Sequence, residues 1–81
     1  MNVEIHVPAF SRIFEFELDE DMEIAVLIEE IAETICQYEH CTLDGSPAQM
    51  LLLHNGRKKA LDVHQSLIQA DVHNGDSLTL I

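Results

Sequence analysis

Three soft metal ligands, Cys36, His40 and Cys41, lie close together near the middle of this 81-residue sequence. Cys36 and His40 would share one face of a helix that continued that far, because side chains at positions i and i+4 lie above one another. With a fourth ligand from elsewhere, the three could bind zinc. However, the Cys-x-x-Cys and His-x-x-x-His spacings of zinc sites are missing, and cysteine is among the commonest core residues. We therefore predict no metal site and expect Cys36 to be the last packed residue of a helix.

The other histidines and the serines form no pattern typical of catalysis. His54, His64 and His73 lie in turn-rich segments, and no serine or cysteine has a neighbour in a fixed position that would activate it as a nucleophile. The three glycines are scattered at turns and form no phosphate-binding loop. We therefore predict that the protein is not an enzyme and binds no cofactor.

The charge of the chain restricts the class of partner. The formal net charge is −11 at pH 7, and the only basic residues are Arg12, Arg57, Lys58 and Lys59. An acidic surface repels phosphate backbones and anionic lipid headgroups, so nucleic acids and membranes are disfavoured as partners. A protein with a basic face is favoured. The alternative is that the charge only keeps a small domain soluble.

No segment is typical of membrane insertion or secretion. No apolar run approaches the ~20 residues that span a bilayer, and the start of the chain has neither a basic nor an apolar leader region. The default interpretation is a cytoplasmic protein, in which Cys36 and Cys41 would stay reduced.

Two alternating runs at the start of the chain predict an antiparallel hairpin. In residues 2–7 every second residue is apolar, and Pro8 ends the run because it cannot donate a hydrogen bond to a neighbouring strand. Residues 12–18 alternate again, with Phe14, Phe16 and Leu18 on one side and Ile13 on the other. The short connection between the runs suits a hairpin.

The period then changes to that of a helix. From residue 22 to about residue 37, apolar residues recur at intervals of three and four, and glutamates occupy the other side. The acids at 19–21 are candidates for the N-cap. This pattern predicts one amphipathic helix of about four turns. Ala25 and Val26 flank the apolar stripe and are expected to be partly exposed.

The remaining chain completes a sheet. Residues 38–48 are typical of a loop, residues 49–54 of a third strand, and residues 57–61 of a short fourth strand after the Asn55-Gly56 turn. Residues 66–69 suit one helical turn, and residues 77–81 a last strand after the turn at 74–76. The open face of a hairpin and the stripe of a helix cover each other. We therefore predict an α+β β-grasp fold, with a mixed sheet of four to five strands packed on one main helix, in a single domain of residues 1–81.

The last third of the chain resembles the closing segment of ubiquitin-like domains. Leu61 is followed by Leu67 and Val72 at the spacing of that segment, and a turn with Gly75 precedes a Leu-x-Leu strand that begins at Leu78. The hairpin and the helix stripe match the same fold, so the resemblance covers nearly the whole chain. A pattern of this kind implies the fold and says little about function.

Among ubiquitin-like proteins, the sequence resembles small bacterial proteins of the YukD/EsaB type, which have about this length. That resemblance implies a cytosolic accessory protein of a type VII (WXG100, ESX-like) secretion system. The chain ends at Leu80-Ile81 without the Gly-Gly tail that a covalent modifier needs. Conjugation is therefore not expected, unless the tail has been lost by truncation.

The strand period predicts which residues could bind a partner. If Leu78 and Leu80 face the core, Thr79 and Ile81 face outward, and counting back from the Asn55-Gly56 turn points Leu53 outward on the neighbouring strand. The resemblance implies that this sheet face is the docking surface, with Phe10 at its edge. The basic residues expected beside it are Arg57, Lys58 and Lys59. The alternative is that scattered apolar residues on a surface have no function.

These observations lead to a prediction of a protein-interaction module. The partner implied by the resemblance is the cytosolic domain of a type VII secretion membrane component or ATPase, and homo-oligomerisation is left open. The first alternative is a small β-grasp regulatory subunit of a soluble multicomponent enzyme such as a monooxygenase. The second is a covalent modifier whose tail has been lost.

Overall fold

A computed structural model describes residues 1–40 and 50–81 of the chain. Its first hairpin forms as the alternation predicts. Strand β1 (Asn2–Val7) pairs antiparallel with β2 (Arg12–Glu17), and their connection is a 3-10 turn at Pro8–Phe10. The apolar residues of β1 point to one face and are buried.

Helix α1 (Ile24–Glu39) has the predicted amphipathic stripe. It begins and ends slightly later than the periodicity indicated, and Ala25 and Val26 are partly exposed as expected. The predicted N-cap is wrong, because Glu23 occupies that position without a side-chain hydrogen bond to the helix. The buried residues of the stripe are Ile24, Leu27, Ile28, Ile31, Ala32 and Ile35.

Main-chain carbonyls satisfy the first turn of α1 in place of a side-chain cap. The Ile24 N–H donates to the Gln65 carbonyl at 2.8 Å, and the Ala25 N–H donates to the Val63 carbonyl at 3.0 Å. These groups have no partner within the helix itself, so the segment around residues 63–65 provides the cap. Asp19, one of the predicted caps, instead accepts a hydrogen bond from the Asp21 N–H.

Three further strands complete a mixed sheet in the order β2-β1-β5-β3-β4. They are β3 (Leu52–His54), β4 (Lys59–Ala60) and β5 (Ser77–Leu80). Among the strand pairs of the described residues, only β1–β5 is parallel. The predicted fold class is therefore confirmed. The third and fourth strands are shorter than predicted. β4 begins only at Lys59, because Lys58 takes a left-handed conformation in the preceding turn, with φ of 53°.

The segment between β4 and β5 packs short turns onto the core. Leu61, Leu67 and Val72 are buried, as their spacing predicted. Ser66 and Gln69 bond reciprocally, since each side chain accepts from the other residue's N–H, at 3.2 Å and 3.0 Å. This arrangement is a capping box and stabilises the predicted helical turn.

The turn before β5 is also as predicted, and its backbone conformation favours glycine at one position. Gly75 has φ of 85°, a region that a side chain would strain, and its N–H donates to the Asn2 carbonyl at 2.7 Å. The Asn74 side chain accepts from the Asn2 N–H. The turn therefore links the start of β5 to the start of β1.

Candidate protein-binding surface

The sheet has one face against α1 and one outward face, and the strand register shows which residues share the outward one. His6 lies opposite Ile13 on β2 and Thr79 on β5, and Thr79 lies opposite Leu53 on β3. Leu53 in turn lies opposite Ala60 on β4. Directly opposite residues point to the same side of a sheet, so one row of outward side chains crosses all the strands.

Apolar side chains collect on this face where β3 meets β5. Leu51 and Ile81 exchange two backbone hydrogen bonds, of 2.7 and 3.0 Å, and their side chains are 44% and 56% exposed. Leu53, two residues after Leu51, is half-buried and lies on the same face. We call Leu51, Leu53, Thr79 and Ile81 the β3–β5 patch. Its side chains form a small apolar surface, and the backbones of the two segments that carry them are hydrogen-bonded to each other.

A polar network borders the β3–β5 patch on the same face. The Thr79 hydroxyl donates to Asn55 Oδ1 at 2.6 Å, and Asn55 Nδ2 donates to Ser77 Oγ at 2.8 Å. Ser77 Oγ lies 2.7 Å from His6 Nε2. These bonds run across β3, β5 and β1, so they hold the outward side chains of neighbouring strands in fixed positions.

The closeness of Ser77 and His6 differs from the sequence-based expectation that no serine has a fixed neighbour. Parallel pairing of β1 with β5 brings the two together, and that pairing joins residues far apart in the chain. A hydrolytic triad needs an acid on the second ring nitrogen of the histidine. Glu4 lies 3.4 Å from Nε2, the same nitrogen that contacts Ser77. The geometry is therefore that of a polar network and not of a triad.

The structure brings together three of the predicted site residues, Leu53, Thr79 and Ile81, on one face as the strand period indicated. Phe10 does not stand free at the edge of that face. It is half-buried and packs against the core. Its position in the turn after Pro8 points it toward the apolar interior, which the alternation of the flanking strands could not show.

The three basic residues predicted beside the patch are separated. Lys59 lies opposite His54, a buried residue, so its side chain starts on the helix side of the sheet. The Arg57 guanidinium donates to the carbonyls of Ala70 and Asp71, at 2.9 and 3.0 Å, and so holds the turn against the segment before β5. Lys58 is exposed in the turn.

Two large outward apolar residues of this face were not among the predicted site residues. Leu51 lies two residues before Leu53, so strand alternation places both side chains on the same face. The run from Met50 to Leu53 is uniformly apolar, so its sequence does not indicate which of these residues are exposed. Ile13 is 55% exposed at the far end of the row, on β2. The alternation had already placed it on the polar side of its strand.

A part-buried group of hydrogen bonds ties the two turns beside the patch together. His54 Nδ1 accepts from the Arg57 N–H at 3.2 Å, so Nε2 carries the ring proton and donates it to Asp76 Oδ2 at 2.9 Å. The same carboxylate oxygen accepts from the His73 N–H at 2.9 Å. The His73 N–H and then the His54 side chain lower the pKa of Asp76 below its usual range.

The predicted helix end needs one correction, at Cys36. That residue is only half-buried, and Ile35 is the last fully buried residue of α1. His40 follows the helix in a left-handed conformation, and its N–H donates to the Cys36 carbonyl. Cys41 lies outside the described residues. Within residues 1–40 and 50–81, no group of three histidines, cysteines or acids is placed to hold a metal ion.

The family model of YukD, described as "WXG100 protein secretion system (Wss), protein YukD", matches residues 1–80. The chain belongs to the YukD family. No curated protein matches the sequence closely enough to add a relative. In the part of this YukD-family chain that the structure describes, no helix is long and apolar enough to cross a membrane.

Solved structures show that this YukD-family chain has the ubiquitin-like fold. The N-terminal ubiquitin-like domain of the 4931431F19Rik protein is 21% identical, with a TM-score of 0.72, over 100% of this chain and 72% of that one. A designed protein based on ubiquitin is 18% identical, with a TM-score of 0.72, over 100% and 85%. The ubiquitin-like domain of Arabidopsis thaliana protein At2g32350 is 16% identical, with a TM-score of 0.72, over 100% and 74%. At these identities the likeness concerns the fold alone.

Proposed function

We propose that this YukD-family protein is a ubiquitin-like accessory module of a WXG100 secretion system, and that it docks non-covalently on a protein partner through the β3–β5 patch. The observation that carries the proposal is the exposed apolar pair of Leu51 and Ile81, joined by backbone hydrogen bonds beside Leu53. Residues 1–81 act as one domain in this proposal.

The patch has the properties of a docking surface. Exposed apolar side chains that form one group favour association more than isolated ones, because they lose contact with water together. The neighbouring network of Thr79, Asn55 and Ser77 holds the surface in one arrangement, so that little conformational entropy is lost on binding. Lys58, exposed in the adjacent turn, belongs to the polar rim. The other predicted contributors, Phe10, Arg57 and Lys59, lie outside the patch, and their contact with the partner stays a prediction.

The partner in this proposal is the cytosolic domain of a secretion membrane component or ATPase, and the protein acts in the cytoplasm without catalysing a reaction. The family description supports a role in a secretion system. The net charge of −11 supports a partner with a basic surface, because opposite charges speed association and orient the two proteins. Binding is therefore expected to weaken as the salt concentration rises.

The test is a pull-down from the native host with the tagged protein, analysed by mass spectrometry. Wild type is expected to recover a membrane protein of the secretion system, and Leu53→Asp and Ile81→Asp are expected to lose it. Val26→Asp is the matched control, since Val26 is an exposed apolar residue on α1, away from the patch, and the change adds the same charge.

Two outcomes would contradict the proposal. Equal recovery of the membrane protein by wild type and Leu53→Asp would show that the patch is not the docking surface. Recovery of soluble oxygenase subunits in place of secretion components would favour the regulatory-subunit alternative.

A further inference from the structure

The two edges of the sheet differ in length. β4, at one edge, has two residues, whereas β2, at the other, has six and pairs with β1 without interruption. Proteins usually protect a long edge strand with proline, a bulge or a covering segment, because its unpaired backbone groups can bind another strand. β2 contains no proline and its register with β1 is regular.

The register also identifies the backbone groups of β2 that have no partner strand within residues 1–40 and 50–81. The Glu4 N–H donates to the Asp76 carbonyl, so the backbone groups of Glu4 face β5. Successive residues of a strand point these groups to opposite sides, so those of Ile5 face β2 and pair with Phe14. The β2 residues whose N–H and C=O groups point away from the sheet are Ile13, Glu15 and Glu17.

The outward side of this edge carries negative charge. Glu15 lies directly opposite Glu4 in a pair without mutual hydrogen bonds, in which side chains approach most closely. Like charges in that position repel each other. Glu17 follows on the same side of β2. Within the described residues, Glu4 has His6 beside it, but neither Glu15 nor Glu17 has an ion-pair partner.

The helix side of the same edge is aromatic. Phe14 and Phe16 are half-buried on β2, with ring centroids 6.3 Å apart. Tyr38 of α1 lies 6.3 Å from Phe14 and is 69% exposed. The edge of β2 therefore offers three features side by side, namely unpaired backbone groups, carboxylates on one face and aromatic rings on the other.

We propose that the β2 edge binds an extended segment of a protein whose side chains alternate between basic and apolar residues. The segment pairs with the backbone of Ile13, Glu15 and Glu17 as an additional strand. Its lysines or arginines lie beside Glu15 and Glu17, and its apolar residues, on the other face, cover the aromatic rings. A second copy of this chain does not fit, because pairing two β2 strands would bring their glutamates together.

This site is separate from the β3–β5 patch, because β1 lies between β2 and β5 in the sheet. The test uses a fluorescent synthetic peptide that alternates isoleucine and lysine. In the free protein, the amide hydrogens of Ile13, Glu15 and Glu17 are expected to exchange rapidly with solvent. The peptide is expected to slow their exchange and to leave that of Phe14 unchanged, since its N–H already pairs with β1.

Two variants test separately how the backbone and the charge of the β2 edge contribute to peptide binding. Glu15→Pro removes an N–H that faces solvent and leaves the bonds between β1 and β2 intact, so the protein is expected to fold and to bind the peptide about tenfold more weakly. Glu15→Lys/Glu17→Lys reverses the charge beside the peptide, and a loss of about tenfold or more is expected. Its control is Glu29→Lys/Glu33→Lys, which makes the same charge change on the exposed face of α1.

Three results would overturn the proposal. In the first, a peptide of the same composition with its lysines at one end binds equally well, which would show attraction by charge alone. In the second, the two double variants weaken binding equally. In the third, amides of the β3–β5 patch are protected in place of those of β2. Because Leu53→Asp is expected to leave peptide binding unchanged, failure of the edge site and failure of the docking patch are distinguishable.

Discussion

Strands β3 and β5 differ from β1 and β2 in the side chains they expose, although both pairs bury aliphatic residues against α1. Leu52 and Leu78 are as completely buried as Ile5. On the opposite face, Leu51 and Ile81 lie directly beside the first pair, whereas the second pair carries Glu4, Glu15 and Glu17. Packing against α1 restricts the residues of the inner face most strongly, so the outer face can differ between the two halves.

The largest effect is expected on the inner face. Leu78→Ala would leave a cavity where a fully buried side chain contacts the core, and should lower the free energy of unfolding by about 2–5 kcal/mol. Urea denaturation of wild type and variant measures this. A loss as small as that of a surface substitution would show that β5 is not packed as described.

The next largest effect on stability is expected at Asp76, in the turn before β5. The pKa of Asp76 is lowered from its ordinary value, 3.8, first by the His73 N–H and then by His54. Its contribution to stability is therefore present above that ordinary pKa and is lost as the pH falls through the lower pKa of the folded protein. We expect the unfolding free energies of wild type and Asp76→Asn to converge in this acidic range. A difference that stayed constant to low pH would contradict the role of the charge.

A smaller effect, of opposite sign, is expected on the outer face of β1 and β2. Glu15→Lys replaces a like-charge pair with Glu4 by an opposite pair, and should raise the free energy of unfolding by about 0.2–1 kcal/mol. The gain should shrink at high salt, which thermal unfolding at two salt concentrations would show. An equal gain in the free energy of unfolding from Glu29→Lys on α1 would show that the gain comes from the smaller net charge and not from the pair with Glu4.

The smallest effect on stability is expected at the β3–β5 patch. Ile81→Asp changes an exposed side chain, so the free energy of unfolding should change by only about 0.5 kcal/mol, whereas we expect partner binding to be lost. Calorimetry of the variant alone gives the first quantity. Marked destabilisation would show that Ile81 contributes to the core and would weaken the contrast between the two faces.

Local periodicity was sufficient to predict β1, β2, α1 and the inward and outward sides of β5, and counting back from the Asn55-Gly56 turn gave the sides of β3. Each of these depends on the spacing of apolar residues within a few turns or strand residues. The cap of α1, the inward position of Phe10 and the bonds of Arg57 to Ala70 and Asp71 depend on contacts between distant parts of the chain. Spacing carries no information about such contacts.

Some site residues likewise follow from local spacing, whereas others depend on contacts between distant parts of the chain. Leu53, Thr79 and Ile81 came together because strand alternation determines the face on which each lies. Lys59 was expected beside them, because it follows the same turn in sequence. The register opposite His54 places it on the other face, and register depends on how a turn closes.

The main-chain cap of α1 has a consequence for the order in which the protein folds. Ile24 and Ala25 obtain their hydrogen-bond acceptors from residues 63–65, about half the chain away. The middle of the helix needs only local bonds, whereas its first turn stays frayed until the segment before β5 docks. The amides of Ile24 and Ala25 should therefore gain protection with those of the last strand rather than with the rest of the helix.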